Sequence, residues 1–328
     1  MTKPISIAIV GAGDVVRRFY QRHLPDVPGL HLRGILSRQI DSARRLAAAA
    51  HIECVYATLA ELLDDAAVRG VIVCVPPAAQ HEIVAKSLDA GRHVLVEKPV
   101  CVTEAEIEDL VARAQFGPGT LHVTFNNRFR EENAALRQAV LDGAVGDPVL
   151  MNFEWLRRKP RPVSSWGAAP EQAIGGVLAD LGSHLVAMLV EMLPRRRRFR
   201  LFAQFGRDKA SPDGIEDVAQ LLIQMDGVSA VIQVGWNMVL AQSASVSLRV
   251  VGTAGERASG DYQGPKSDGY MHVLTRFAKH AAVGVSPDLD LALDTMRIVH
   301  AAYRSAKTGL PVEGEFAVAS PHGPVGDV

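Results

Sequence analysis

Gly11-Ala12-Gly13-Asp14-Val15 follows the apolar run Ile5–Val10 at an expected strand-to-helix turn. Gly11 would allow a tight turn, and Gly13 would let a pyrophosphate approach the backbone. A helix starting near Asp14 and Val15 would add free amides and the positive end of its dipole. A plain βα turn is the competing reading, because Val16 stands where a third glycine usually permits close helix–strand packing. Asp180 and His184 form a second candidate set. Standing four residues apart, they share one face of a helix, beside an apolar stripe of Leu181, Leu185, Met188 and Met192. A histidine near its ordinary base strength can accept a hydroxyl proton at neutral pH; the plainer reading of His184 is a satisfied core histidine. Lys98 follows an apolar run that would bring its ammonium to the carboxyl edge of a sheet, where open α/β folds bind ligands.

The elements that must position these residues are readable from the hydrophobic pattern. Strands are expected at Ile5–Val10, Leu32–Leu36, Gly70–Val75, His93–Val96 and Leu121–Phe125, with helices near 14–24, 42–51, 58–65, 80–90 and 103–115. Thr58 with Glu61, and Thr103 with Glu106, have capping-box spacing, and Gly91 is placed to end the fourth helix. Continuously apolar strands alternating with helices predict an α/β Rossmann domain, a doubly wound parallel sheet, over residues 1–126. Beyond it the runs lengthen and alternate: Val149–Trp155, Phe199–Phe205, Val218–Met225, Val228–Val234 and Ser245–Val251. With helices near 131–142 and 288–307, residues 127–328 predict an α+β domain with a large, mainly antiparallel open sheet. The tail Ala319–Val328 reads as a loose extension.

Composition narrows the class. Among 328 residues, Lys+Arg (35) and Asp+Glu (36) nearly cancel, which argues against a general nucleic-acid binder. No apolar run reaches the length of a bilayer span. The three cysteines, Cys54, Cys74 and Cys101, have no CxxC spacing and suit reduced thiols in a cytoplasmic protein. The 11 histidines show no metal-ligand spacing, so no metal is expected. Pro194-Arg195-Arg196-Arg197-Arg198-Phe199-Arg200 is densely cationic and reads as a solvated loop.

The end of the second strand bears on the kind of dinucleotide. An NAD site often has an acid there for the ribose 2′-OH, whereas this chain has Ser37-Arg38 and no acid before Asp41. A hydroxyl and a guanidinium suit a 2′-phosphate, so the choice between NADP and NAD leans to NADP. The alternative is that Arg38 merely occupies a surface loop.

Four ordered blocks carry a family resemblance: Val73-Cys74-Val75-Pro76-Pro77 with His81; Val94-Leu95-Val96-Glu97-Lys98-Pro99; Phe125-Asn126-Asn127-Arg128-Phe129; and Gly175-Gly176-Val177-Leu178-Ala179-Asp180-Leu181-Gly182-Ser183-His184. Together they resemble the Gfo/Idh/MocA oxidoreductases, the family of glucose–fructose oxidoreductase and inositol dehydrogenase, over about residues 5–313. The resemblance implies an NAD(P)-dependent dehydrogenase or reductase acting on a secondary hydroxyl or ketone of a sugar, sugar derivative, polyol or (amino)cyclitol. Lys98, Asp180 and His184 would be catalytic: His184 the acid/base, Asp180 the substrate anchor or His184 orienter, and Lys98 a donor to the reacting oxygen. Val75, Pro76, His81, Glu97 and Lys98 would join Gly11, Gly13, Asp14, Val15, Ser37 and Arg38 around the cofactor. Asn127, Arg128 and the loop residue Trp166 are candidate substrate contacts. Ala187 departs from the family, which often has Asp three residues after the histidine. A homodimer or homotetramer formed through the second sheet is also implied. An NAD-dependent glycosidase of the same fold, or a non-catalytic cofactor-sensing regulator, would be the rival activities.

Overall fold

The computed structural model describes residues 4–158, 174–194, 197–207, 215–259 and 267–316; Trp166 and the Ala319–Val328 tail lie outside them. The first half builds a six-stranded, all-parallel sheet from β1 (Ile5–Val10), β2 (Leu30–Leu36), β3 (Cys54–Tyr56), β4 (Gly70–Val73), β5 (His93–Glu97) and β6 (Thr120–Thr124). The order β3-β2-β1-β4-β5-β6 is that of a doubly wound dinucleotide-binding sheet. β3 was not expected: three residues are too short to show a period.

Alternate side chains of these strands enter different cores. Ile5, Ile7 and Ile9 of β1 pack with a helical run over 16–26, whose α-helical part α1 is Gln21–His23, and with α2 (Ile40–Ala50). Ala8 and Val10 face the opposite core, built on α3 (Leu59–Asp64), α4 (Gln80–Asp89) and α5 (Glu104–Phe116). The α5 capping box is complete: the Thr103 hydroxyl accepts from Glu106 N–H, and the Glu106 carboxylate accepts from Thr103 N–H. At α3 only half of the expected box forms, because the Glu61 carboxylate takes the Ala57 N–H rather than that of Thr58. Gly91, at φ +70°, terminates α4 as expected.

The second half folds β7 (Pro148–Arg157), β8 (Arg198–Gly206), β9 (Val218–Met225), β10 (Val228–Gly235), β11 (Ala244–Gly252), β12 (Gly255–Ser259) and β13 (Val312–Glu315) into a seven-stranded sheet. Only its central β7–β10 pair is parallel. α6 (Glu131–Leu141), α7 (Ser183–Met192) and α9 (Leu289–Thr308) cover one face, over Met151, Phe153, Trp155, Leu221, Ile223 and Ile232. The other face presents Gln220, Leu222, Gln224, Ser229 and Ser247 in period-two alternation. Part of the cationic run enters β8 rather than a loop, where Arg198 and Arg200 face Glu315 and Glu313 of β13.

The chain also returns. α8 (Ser267–Val283) packs Tyr270, Val273, Leu274, Phe277 and Ala278 onto the first sheet, beside Ile7 and Leu95. Gly269 permits this approach, since a Cβ there would lie 2.4 Å from the Asn126 carbonyl oxygen. At the far end of α8, the His280 ring lies 6.0 Å from that of His122, tilted by 32°, and His122 connects through the Thr120 hydroxyl to His93. Burial pushes the His122 ring down to about 3, and the nearby His280, Arg276 and His93 act the same way against the opposing Asp288 carboxylate.

A histidine buried neutral stabilises the fold above its unfolded pKa of about 6.5 and loses that contribution as pH falls towards its folded value. The raised carboxyls of Glu97 and Glu216 act in the opposite sense over part of this window, so the comparison must be between variants. From pH 6.5 to 4.5 the wild-type unfolding free energy, measured by urea titration, is expected to fall further than that of His122→Gln, by about 1 kcal/mol per pH unit. Parallel pH curves for the two proteins would contradict this role.

Candidate active site in the interdomain crevice

Lys98 stands one residue past β5, at the carboxyl ends of the first sheet's strands. Its Nζ donates to the Asp180 carboxylate at 2.9 Å and to the Asp180 carbonyl at 2.7 Å, across the boundary between the two sheets. The second carboxylate oxygen of Asp180 accepts from Arg157 Nη2, at the end of β7, at 3.3 Å. Burial alone would favour neutral Asp180, but Lys98 and Arg157, with His184, hold its carboxyl well below the usual range. The site therefore keeps a carboxylate clasped by one cation from each domain.

Asp180 and His184 fall where the expected helix lies, with one difference. The helix opens as a π-turn, Leu178–Gly182, before continuing as α7. A single wide turn of this kind is frequent at functional sites. Leu181, Leu185, Met188 and Met192 are buried as the stripe required, and Ala187 is fully buried with them. His184 is itself 5% exposed, with its ring 5.9 Å from that of Trp155. The two rings are tilted by 38° to each other.

The loops holding Lys98 are fastened by Gln80, Tyr20 and Tyr270, which sequence reasoning did not find, together with Glu97, which it placed at the cofactor. Buried Gln80, opening α4, donates to the Glu97 carbonyl (2.9 Å) and the Val75 carbonyl (3.3 Å) and accepts from Cys101 N–H (2.8 Å). One side chain thereby ties the Val75-Pro76 loop to both flanks of Lys98. Glu97 points beneath the site, accepting from the Tyr20 hydroxyl at 2.8 Å and from Tyr270. Burial lifts the Glu97 carboxyl to about 7, against the pull of Tyr20 and Lys98. Tyr20 also meets Thr124 at 3.1 Å, so helix 16–26, β5, β6 and α8 converge under Lys98. An apolar periodicity cannot reveal such contacts, because the partners are up to 250 residues apart.

The glycine loop has two different halves. Gly11 adopts φ +118°, and a Cβ on it would lie 2.3 Å from the Cys74 carbonyl oxygen. It is required by the close approach of the β1 and β4 ends. At Gly13 a Cβ would meet none of the described residues within 4 Å, so the backbone there leaves room for a close approach. That opening, at a helix start whose boundary residue Val15 has no side-chain cap, fits a dinucleotide pyrophosphate. Val16 is fully buried, and the helix begins there as a π-turn. Asp14 is exposed and paired with Arg17, whose guanidinium also donates to the Ala12 carbonyl of the loop at 3.0 Å. Ser37 accepts from Gln39 N–H, while Arg38 is exposed and has no ion-pair partner among the described residues.

Three other expected contacts are placed differently. His81 pairs with Asp109 of α5 at 2.8 Å, on the side of α4 turned towards α5. Asn127 is buried, with its carbonyl accepting from Asn133. Arg128 is 3% exposed and bridges Glu191 (3.1 Å) and Asp288 (3.0 Å), which Arg137 and Arg276 also hold. Its guanidinium is committed to knitting α7 to the start of α9, which removes it from the substrate-facing set.

Fold and site together join a Rossmann-type domain carrying a glycine loop to a second domain whose Asp180 pairs with Lys98 at the strand ends. The chain belongs to the GFO/IDH/MocA family: its NAD-binding Rossmann-fold oxidoreductase model matches residues 5–125 and its C-terminal domain model matches residues 133–257. Among curated relatives, the chain is 27% identical over 187 residues to D-glucoside 3-dehydrogenase of Escherichia coli, covering 56% of this chain and 53% of that one. It is 28% identical over 148 residues to scyllo-inositol 2-dehydrogenase (NADP(+)) IolW of Bacillus subtilis, covering 44% and 41%. The matches thus span about half the length of the curated relatives or less. The crystal structure of GenD2 from gentamicin A biosynthesis in complex with NAD superposes with a TM-score of 0.86 at 25% identity, over 96% of this chain and 97% of that one. Among the described residues no helix is long and apolar enough to cross a membrane, and no cluster of His, Cys, Asp or Glu could hold a metal ion.

Proposed function

We propose that this chain is an NAD(P)-dependent dehydrogenase or reductase acting on a secondary hydroxyl or ketone of a sugar, sugar derivative, polyol or (amino)cyclitol. The observation that carries the reading is the Lys98–Asp180 pair bridging the two domains at the strand ends, with His184 next along the same helix. A bound nicotinamide would supply the hydride acceptor or donor. In the oxidative direction His184 accepts the hydroxyl proton, and Lys98 donates a hydrogen bond to the oxygen as it gains carbonyl character. Asp180, kept ionised by Lys98 and Arg157, accepts from the substrate hydroxyl group or orients His184. Gly11, Gly13 and Val15 cradle the pyrophosphate, and the Val75-Pro76 loop and the end of β5 at Glu97 form the floor beneath the nicotinamide. The relatives named for glucoside and inositol oxidation support the substrate class.

Ser37 and Arg38, with no acid at the end of β2, support NADP over NAD. The free thiols of Cys54, Cys74 and Cys101 support a cytoplasmic setting. The face of the second sheet that no described helix covers, where Leu222 is 58% exposed, supports self-association as a dimer or tetramer.

The test is a panel of glucosides, free sugars, polyols, inositols and aminocyclitols, read by nicotinamide absorbance with NAD and NADP in parallel. Turnover on one class is expected, with the higher kcat/KM for NADP. Absence of hydride transfer on every member would overturn the proposal, and glycosidic cleavage without net cofactor turnover would replace it with a glycosidase. Arg38→Ala is expected to raise KM for NADP by about tenfold while moving KM for NAD little, as loss of one charge-assisted contact implies. Equal effects on both cofactors would return Arg38 to the status of a surface residue.

A further inference from the structure

We infer that Glu216 is a positioning residue for the reaction, acting as a remote cap that fixes the start of the Asp180–His184 helix. This rests on the dehydrogenase reading above for its kinetic consequence, and on geometry alone for the placement. The helix has no cap of its own: Val177, at its boundary, makes no side-chain capping bond. Three successive amides are instead satisfied by one residue. Gly176 N–H donates to Glu216 Oε2 (2.8 Å), Val177 N–H to the Glu216 carbonyl (3.0 Å) and Leu178 N–H to Glu216 Oε1 (2.9 Å).

Glu216 is 5% exposed and lies just before β9, about 40 residues further along the chain. Its Oε1 also accepts from the Tyr303 hydroxyl of α9 at 2.8 Å. Burial raises its carboxyl, while the Leu178 and Gly176 amides and Tyr303 act to keep it charged. A negative charge at a helix N-terminus is also favoured by the helix dipole.

The paired glycines of the Gly175–His184 block follow from this clasp. A Cβ on Gly176 would lie 2.1 Å from the Glu216 carbonyl oxygen, and one on Gly175 would lie 2.2 Å from the Tyr303 hydroxyl. These glycines let Glu216 and Tyr303 reach the helix start. Asp180 lies only two residues beyond the last clasped amide, and its own N–H donates to Gly176 at 3.0 Å. Any slide or rotation of this turn is therefore transmitted to a carboxylate held 2.9 Å from Lys98 and 3.3 Å from Arg157. A displacement of about 1 Å takes such contacts out of hydrogen-bonding range, and misplacement on that scale can cost about a hundredfold in rate.

The experiment compares wild type with Glu216→Gln, Glu216→Asp, Tyr303→Phe and Leu201→Ala, the last a core truncation in the second sheet away from the clasp. The carboxamide of Glu216→Gln retains the volume but turns a donor towards one amide, and Glu216→Asp is too short to span both. In both, kcat on the best panel substrate is expected to fall about 10- to 100-fold with KM for the nicotinamide cofactor within about twofold. Tyr303→Phe keeps the amide contacts and is expected to lose less than about threefold.

A second readout needs no substrate: labelling of Lys98 by trinitrobenzenesulfonate, followed by mass spectrometry of its peptide. Labelling should accelerate several-fold in the Glu216 variants, where Asp180 no longer covers Nζ, and stay at the wild-type rate in Leu201→Ala at equal loss of urea midpoint. Unchanged Lys98 labelling in Glu216→Gln, or equal acceleration in Leu201→Ala, would overturn the positioning role. If wild type turns over no panel member, the dehydrogenase reading fails while the labelling comparison still decides whether Glu216 places Asp180.

Discussion

Lys98→Met is expected to lower kcat by about 10²- to 10⁴-fold on whichever panel substrate the wild type oxidises, the range associated with loss of a positioned proton-transfer or oxyanion-stabilising group. Methionine keeps the length and packing of the lysine stem, so the variant should fold and bind NADPH within about threefold of wild type, measured by fluorescence. The pH profile supplies an independent signature. Asp180 is held ionised chiefly by Lys98 and then by Arg157, against the cost of its burial. Removing Lys98 raises the Asp180 pKa, so any acid limb governed by this carboxylate must move to higher pH. His184→Asn is expected to fall in the same kinetic range, since asparagine cannot take up the proton. Retention of more than about a tenth of wild-type kcat in both variants would overturn the roles of Lys98 as donor to the reacting oxygen and of His184 as acid/base.

Gly11→Ala has the second large effect, on both stability and cofactor affinity. Its Cβ would sit 2.3 Å from the Cys74 carbonyl oxygen, at a backbone φ of +118° that alanine rarely adopts. Either the end of β1 or the end of β4 must move. Backbone strain and overpacking together cost about 2–6 kcal/mol, which a urea midpoint would report. Gly13→Ala is the informative contrast. A Cβ there meets nothing within 4 Å, so the apo protein should keep its midpoint. If the open side of Gly13 is where the pyrophosphate lies, NADPH binding should still weaken by about tenfold or more. Equal effects of the two substitutions on the apo midpoint would contradict this division of labour.

The parts of the fold that were legible follow from local rules. Ile7–Val10 and Val71–Val73 are continuously apolar because helices cover both faces of a parallel sheet, and every expected strand of that sheet forms. Thr103 with Glu106 announces α5, since a capping box involves residues three apart and needs no tertiary information. The i, i+4 spacing of Asp180 and His184 likewise identifies a helical pair, but the apolar stripe beside them does not single out a buried side, because every residue from Ser183 to Val190 is buried. β3 escaped notice through brevity, and the return of α8 to the first sheet has no signature in its own residues.

The site divides along the same line. Residue types and spacing within about ten positions were enough to indicate a glycine loop, a strand-end lysine and a helical Asp–His pair. They carried no information about what those side chains meet. Arg128 looked available for substrate and is instead enclosed between Glu191 and Asp288, whereas Arg157, without a role in the sequence reading, holds Asp180. Gln80 and Glu216 are ordinary polar residues until the fold brings Cys101 to one and the amides of Gly176 and Leu178 to the other. Periodicity and capping are local energies and can be read along the chain. A buried charge or amide must be satisfied by whichever partner the topology delivers, so only the tertiary structure decided which charges pair, which glycines are compulsory and where the carboxylate of Asp180 comes to rest.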